Sequence, residues 1–320
     1  MSDELPKEIN DVAPSSLGHI IGQSSVKAQV SVALEAAWAD QKKFDHALLV
    51  GPPGVGKSAL ANVIANEMAT GFHEVLGQSI SSPADFNGLL LSAKDRDVVH
   101  IDECHELQTE YQTALYMATD QRKLFVSSGR PGRTPQAIPL ADFTLLLSTT
   151  DEFDLLQPLR DRMKLLLRFQ FYSGSDLTEV IRQRSRALRW DVADEVLPLI
   201  AERSRGTPRL ALRLLQSCRR VCRAENETAV TAKNLIRACA LEEIDSLGLG
   251  PVEQQYIRIL ADGTSRLNVI SSMLGLPSRT VSQVAEPFLL RAGLIFKDDQ
   301  GRRQLTAKGR EHLAAAKSER

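Results

Sequence analysis

The sequence predicts an α/β fold: a parallel sheet with helices over the first 172 residues, then an all-helical domain, then short helices and a turn-rich ribbon. Three observations carry that prediction. Short apolar runs alternate with helical periods up to about residue 172, the pattern of buried parallel strands joined by crossover helices. One of those runs leads into GPPGVG (51–56), three glycines and two prolines that open at once onto a helical pattern. Beyond it, the stretch from SGSDLTEVIRQRSRAL to LIRACALEEI has a helical period throughout. With 320 residues, 43% of them apolar, the chain has enough apolar side chains for two or three cores at roughly 100–200 residues per domain.

The elements follow in order. SSVKAQVSVALEAAWA (24–39) spaces Val26, Val30, Leu34 and Ala37 on one helical face behind a serine able to cap. HALLV (46–50) is a buried strand, KSALANVIANEMA (57–69) a helix, and VVHIDE (98–103) an apolar strand ending in acids. LQTEYQTALYMAT (107–119) is helical, and residues 123–143 form two strand-like arms around a Gly/Pro-rich turn, a hairpin. FTLLLSTT (143–150) and LLLRFQF (165–171) complete the sheet. Residues 266–295 hold two amphipathic helices separated by a Gly/Pro turn, and FKDDQGRRQL (296–305) has the look of a wing.

Composition narrows the function classes. No apolar run reaches the roughly 18 residues of a membrane span, and the acidic start MSDELPKEIN lacks a signal-peptide core, so a cytoplasmic protein with no membrane partner is expected. Cys104, Cys218, Cys222 and Cys239 form no C-x-x-C pair and no disulfide framework; buried free thiols are expected. Net charge is −1, but from Pro251 onward 11 Lys/Arg stand against 7 Asp/Glu, and residues 201–225 carry seven arginines. That second cluster fits a solvated helix face as well as an anion-binding one.

GPPGVGKS fits the phosphate-loop pattern G-x-x-x-x-G-K-[ST], with Gly51, Gly56, Lys57 and Ser58 at the fixed positions. Its glycines let backbone N–H groups turn toward a phosphate, and the helix behind adds the positive end of its dipole. Lys57 is expected to reach the β- and γ-phosphates, and Ser58 to ligate Mg²⁺. A triphosphatase also needs carboxylates at the end of a neighbouring strand, for metal and for attacking water; about 45 residues on, VVHIDE supplies Asp102 and Glu103. Charge developing on the γ-phosphoryl group calls for polar or cationic partners: Thr149 and Thr150 close a strand, Arg160 and Arg162 precede the next, and Arg209 opens a helix.

In order and spacing, GPPGVGKS, HIDECHEL, STT, PLRDRM and RGTPRLALRLL resemble the RuvB family of AAA+ ATPases, motors of Holliday junction branch migration. IIGQSSVKAQV and VAEPFLLRAGLI extend the likeness over about residues 14–312. The resemblance implies an N-terminal extension (1–16), an AAA+ ATPase domain (17–172), a helical lid (173–248) and a winged helix (249–320). It places Ile21 and Gly22 with Gln23 near the adenine, Gly51, Pro52, Pro53, Gly54, Val55, Gly56, Lys57, Ser58 and Ala59 around the phosphates, and Pro208 with Arg209 as the lid's contribution. Asp102 falls at the metal position with Ser58, Glu103 at the water, Thr149 or Thr150 at the γ-phosphate sensor, and Arg162 at the finger given to a neighbour's ATP. It further implies ATP and Mg²⁺, a homo-hexamer around duplex DNA at Holliday junctions, and DNA contacts from Arg291, Arg302 and Arg303. A RuvA-type protein docked on the 123–143 hairpin and a RuvC-type resolvase complete the implied partners.

The chain departs from the family pattern in places. Ala13-Pro14 replaces an Arg-Pro pair, Asp151 stands where an arginine follows the sensor, and the wing carries Asp298 and Asp299. A loader or protein-remodelling ATPase, its winged helix used for protein contact, is the alternative reading. A nucleotide-binding scaffold without turnover fits less well, because Lys57, Asp102, Glu103 and Arg162 are all present.

Overall fold

The computed structural model describes residue 9, residues 12–126 and residues 136–318. It divides into two compact units. The first runs to Val180 and includes Thr207–Arg209; the second comprises Ile181–Gly206 and the chain from Leu210 onward.

In the first unit the order is α1 (Ser24–Ala39), β1 (Ala47–Val50), α2 (Lys57–Glu67), β2 (Phe72–Leu76), α3 (Pro83–Ser92), β3 (Val98–Asp102), α4 (Thr109–Gln121), β4 (Lys123–Val126), β5 (Gln136–Pro139), β6 (Thr144–Thr149), α5 (Gln157–Arg160) and β7 (Leu165–Arg168). Five strands make one parallel sheet in the order β2-β3-β6-β1-β7. Alternation sorts its side chains into two cores. Leu48, Val99, Ile101, Leu145 and Leu147 pack with Phe86, Leu90 and Leu115 of α3 and α4, while Ala47, Leu49, Val98, Leu146 and Leu167 pack with Val30, Leu60 and Ile64 of α1 and α2. Burial on both faces explains the unbroken apolar runs of β1, β3 and β6.

Val26, Val30, Leu34 and Ala37 are the buried residues of α1, as their spacing predicts. The expected serine cap is absent. Gln23 occupies the cap position in a left-handed conformation, and its side chain instead exchanges hydrogen bonds with the Gln170 backbone, at 2.7 and 3.1 Å. β2 and α3 are not among the elements the apolar pattern predicts. FHEVL is an edge strand of half-buried and exposed residues with little apolar signal, whereas α3 opens on a capping box between Ser82 and Asp85 with Pro83 in its first turn. The hairpin arms β4 and β5 pair antiparallel as expected, Leu124 opposite Ile138; its turn, 127–135, lies outside the described residues.

The second unit holds α7 (Val196–Glu202), α8 (Pro208–Ala224, from Leu210 onward), α9 (Ala232–Leu241), α10 (Pro251–Ala261), β8 (Ser265–Arg266), α11 (Leu267–Leu274), α12 (Ser278–Thr280), α13 (Glu286–Arg291), β9 (Ile295–Lys297), β10 (Arg302–Leu305) and α14 (Ala307–Ser318). Helix α6 (Gly174–Ala187) spans the boundary between the units. On α8, Ala211, Leu214, Leu215, Cys218, Val221 and Cys222 form the buried stripe. The arginines around it are largely spent inside the unit: Arg205 pairs with Glu253, Arg213 and Arg220 with Glu242, and Arg219 lies over Trp190. All four cysteines are free and buried, as expected. A π-helical turn, Val281–Ala285, joins α12 to α13, and β8, β10 and β9 form an antiparallel ribbon beside them.

Candidate active site and winged-helix surface

Sheet order assembles the candidate site. β1 lies next to β6, and β6 next to β3, with Val50 opposite Thr149. The loop after β1, the acids that end β3 and the threonines that end β6 therefore share one edge, at the carboxyl ends of the strands where open α/β sheets take ligands.

On that edge Ser58, in the first turn of α2, donates a 2.8 Å hydrogen bond to Asp102 Oδ2. Lys57 is buried, and its Nζ donates to the carbonyls of Gly51 and Pro52 at 2.7 and 3.0 Å. Burial pushes the Lys57 ammonium below its ordinary range, against the pull of the Glu103 and Asp102 carboxylates. Gly54 has φ +77°, and a Cβ there would lie 2.9 Å from Arg209 Cβ; the Arg209 N–H donates to the Gly54 carbonyl at 3.3 Å. Only a glycine backbone fits that approach. Val55 is buried, Gly56 caps α2, and Pro52, Pro53 and Ala59 fill the remaining positions of the loop and the start of α2. Thr207–Arg209 thus belong with the loop, and Pro208 and Arg209 open α8.

Glu103 sits in a left-handed conformation, φ 48°, and its N–H donates to Asp102 Oδ1 at 3.0 Å. His105, which sequence reasoning did not single out, stands between the two strand ends: its Nδ1 lies 3.0 Å from Thr149 Oγ1 and 3.5 Å from Glu103 Oε2. Thr149 is fully buried and also exchanges hydrogen bonds with the Asp151 backbone, whereas Thr150 is exposed. Asp151, at the position of a family arginine, is thereby a local brace whose carboxylate also accepts from the Phe153 N–H. A second overlooked residue is Tyr172. A Cβ on Gly22 (φ +63°) would lie 3.2 Å from both its ring and the Asp176 carboxylate, and burial pushes the Tyr172 phenol up to about 12. Ile21 and Gly22, both half-buried, thus reach the same corner.

Arg162 is placed elsewhere. Its guanidinium donates to Asp120 and to the Pro158 carbonyl and lies 4.8 Å from the Tyr116 ring centroid, partners that all sit on α4 and α5. Arg160 donates to Gln157 and covers Phe153.

The chain matches the Holliday junction DNA helicase RuvB P-loop domain over residues 12–169, the RuvB AAA lid domain over 172–245 and the RuvB C-terminal winged helix domain over 246–314. It is 35% identical to the Holliday junction branch migration complex subunit RuvB of Kosmotoga olearia, across 98% of this chain and 94% of that protein. It is also 35% identical to the same-named subunit of Synechococcus sp. strain RCC307, across 95% and 89%. This chain belongs to the RuvB family. The structure of the Thermotoga maritima RuvB Holliday junction branch migration motor superposes with a TM-score of 0.81 at 32% identity, covering 94% of this chain and 98% of that one. A point mutant of the same Thermotoga maritima protein gives a TM-score of 0.83, also at 32% identity, over 95% and 99%.

The RuvB winged helix in this chain corrects one sequence-based expectation. Arg303 does not sit at the tip of the wing as a phosphate contact. It is buried, donating to both oxygens of the fully buried Glu286 carboxylate at 2.6 and 3.2 Å, and Tyr256 and Lys297 complete that carboxylate's shell at 2.6 and 2.9 Å. Burial alone would raise the Glu286 carboxyl; these donors outweigh it and hold it low. The tip itself carries Asp298 and Asp299, and Arg302, just behind it, is exposed. Arg291 is exposed too, but it donates to the Arg205 carbonyl at 2.6 Å and lies against Phe288. Among the described residues no helix is long and apolar enough to cross a membrane, and no group of three or more metal-ligating side chains forms a separate metal site.

Proposed function

We propose that this RuvB-family chain is the motor subunit of a Holliday junction branch migration complex, hydrolysing ATP to drive duplex DNA during recombinational repair. The observation that carries the reading is the Ser58–Asp102 hydrogen bond at the mouth of the glycine loop, within a chain related to RuvB subunits along almost its whole length. A hydroxyl and a carboxylate oxygen held together are the hard donors that Mg²⁺ takes when it shares a site with nucleotide phosphates. Ser58 and Asp102 would hold that ion, which neutralises phosphate charge when bound.

The protein's own groups do the rest. Loop N–H groups and the start of α2 cradle the phosphates, and Lys57 moves its Nζ from the Gly51 and Pro52 carbonyls to the β- and γ-phosphate oxygens. Glu103 takes a proton from the attacking water. Thr150, exposed beyond the strand end while Thr149 is occupied, offers its hydroxyl to the γ-phosphate. Arg209 reaches the same phosphates from the start of α8, and Arg162, held on its own α4–α5 surface, faces a neighbouring protomer's nucleotide. A cation lent by one protomer to the next is a heterologous contact, which closes by rotation into a ring; we take that ring to be a homo-hexamer.

Exposed Arg302 and the α12–α13 face with Arg279 are the DNA-facing cations of this reading, and a RuvA-type protein docks on the β4–β5 hairpin, with a RuvC-type resolvase as a later partner. The acidic wing tip and the buried Arg303 favour one modification: the helix face, rather than the wing, carries most of the phosphate contact. The test is branch migration of a synthetic four-way junction, with and without a RuvA-type protein, across a salt series. Expected is ATP-dependent migration that a RuvA-type protein stimulates and salt weakens. ATP turnover indifferent to duplex DNA, with no migration, would instead fit the loader.

A further inference from the structure

We infer that His105 is a positioning residue for ATP hydrolysis, holding the Glu103 carboxylate and the end of β6 at Thr149 in fixed relation across the mouth of the site. The inference rests on the proposed ATPase reading and goes beyond it, since neither the phosphate loop nor the strand-end acids require a histidine here.

Its hydrogen bonds fix its chemistry. Thr149 Oγ1 has three partners: the Asp151 carbonyl at 2.9 Å, the Asp151 N–H at 2.9 Å and His105 Nδ1 at 3.0 Å. A carbonyl only accepts and a backbone N–H only donates, so the single hydroxyl proton goes to the Asp151 carbonyl, and both remaining partners are donors. Satisfying all three contacts at once therefore requires Nδ1 to carry a proton. That same N–H faces Glu103 Oε2 at 3.5 Å, and Nε2 lies 3.6 Å from Glu106 Oε1, so the ring is bordered by carboxylates on both edges. Cys104, immediately before it, is fully buried, and the 3₁₀ turn Cys104–Glu106 anchors the histidine to the core beneath β3. Glu103 has no other side-chain donor among the described hydrogen bonds and ion pairs, so the 3.5 Å approach of His105 Nδ1, whose hydrogen is shared with Thr149, is the one described side-chain contact on its carboxylate.

The test compares His105→Ala, His105→Asn and His105→Gln with the unmodified full-length chain, measuring steady-state kcat and KM for ATP and the affinity for a non-hydrolysable ATP analogue. An asparagine amide nitrogen falls near the position of Nδ1; a glutamine amide reaches toward Nε2. Expected is a fall in kcat of about 10- to 100-fold for the alanine and glutamine variants, with analogue affinity within about threefold of the parent and the asparagine variant restoring most of the rate, because misplacing a reacting group by about 1 Å costs rate on that order. Unchanged kcat in His105→Ala overturns the inference. So does an equal loss in all three variants accompanied by lost analogue binding, which marks a purely structural side chain. An unmodified chain that binds the analogue but turns over no ATP overturns the hydrolysis reading first, and the role of His105 with it.

Discussion

Glu286 has no exposure to solvent, yet its carboxylate accepts from Arg303, Tyr256 and Lys297. A buried pair of this kind is a weak net stabiliser but costly to break, because the survivor is left charged without a partner. Glu286→Gln is therefore expected to destabilise the second unit by about 3–5 kcal/mol, and thermal melts check it; Arg302→Gln, on the exposed neighbour, should leave the melt within about 0.5 kcal/mol. Lys57 behaves in the opposite sense. Its ammonium is desolvated in the absence of ligand, so Lys57→Met should leave the ligand-free melting temperature unchanged or raised while abolishing the upward shift that ATP produces. At this scale the sequence was readable where a role depends on chain neighbours. Lys57 and Ser58 follow directly from the loop, but Arg302 and Arg303 are adjacent identical residues whose different fates depend on strand alternation, which turns one to solvent and the other onto Glu286.

At the scale of elements, the sheet's lower edge carries its own pH dependence. His46, just before β1, accepts the Leu145 N–H on Nδ1 at 2.8 Å, which requires that nitrogen to be unprotonated. Burial, followed by the nearby Lys43 and Lys164, holds its folded value at about 4. Since an unfolded histidine binds its proton near pH 6.5, the unfolded state gains protons first as pH falls. Stability should therefore drop between about pH 6.5 and 4, by up to about 3 kcal/mol from this group. Denaturant melts of the parent and of His46→Asn, whose amide oxygen still accepts the Leu145 N–H, check it: the asparagine variant should flatten that slope. β1, β3 and β6 were legible as apolar runs because they are covered on both faces. β2 was not, because an edge strand reading FHEVL offers no such run. His105 was hidden for a related reason: its partners, Thr149 and Glu103, become neighbours only once β6 has been inserted between β1 and β3.

For the whole molecule, the proposed function makes each protomer an incomplete enzyme. The loop, both acids and Arg209 belong to one chain's first unit, while Arg162 spends its guanidinium on Asp120, Pro158 and Tyr116 and contacts none of the loop. Its place before β7 was legible in the order of motifs. The service proposed for it, to another copy, would be a property of assembly. Turnover per chain should consequently fall on dilution below the ring's dissociation constant, in a concentration series of steady-state rates. The most direct measurement mixes two inactive variants, Glu103→Gln, which keeps the arginine but lacks the base, and Arg162→Ala, which keeps the base but lacks the arginine. Random co-assembly places an intact Glu103 opposite an intact Arg162 at about one site in four, so the mixture is predicted to recover up to roughly a quarter of parental turnover although each variant alone has almost none. A mixture no more active than its components, or an Arg162→Ala variant active by itself, would contradict the shared site.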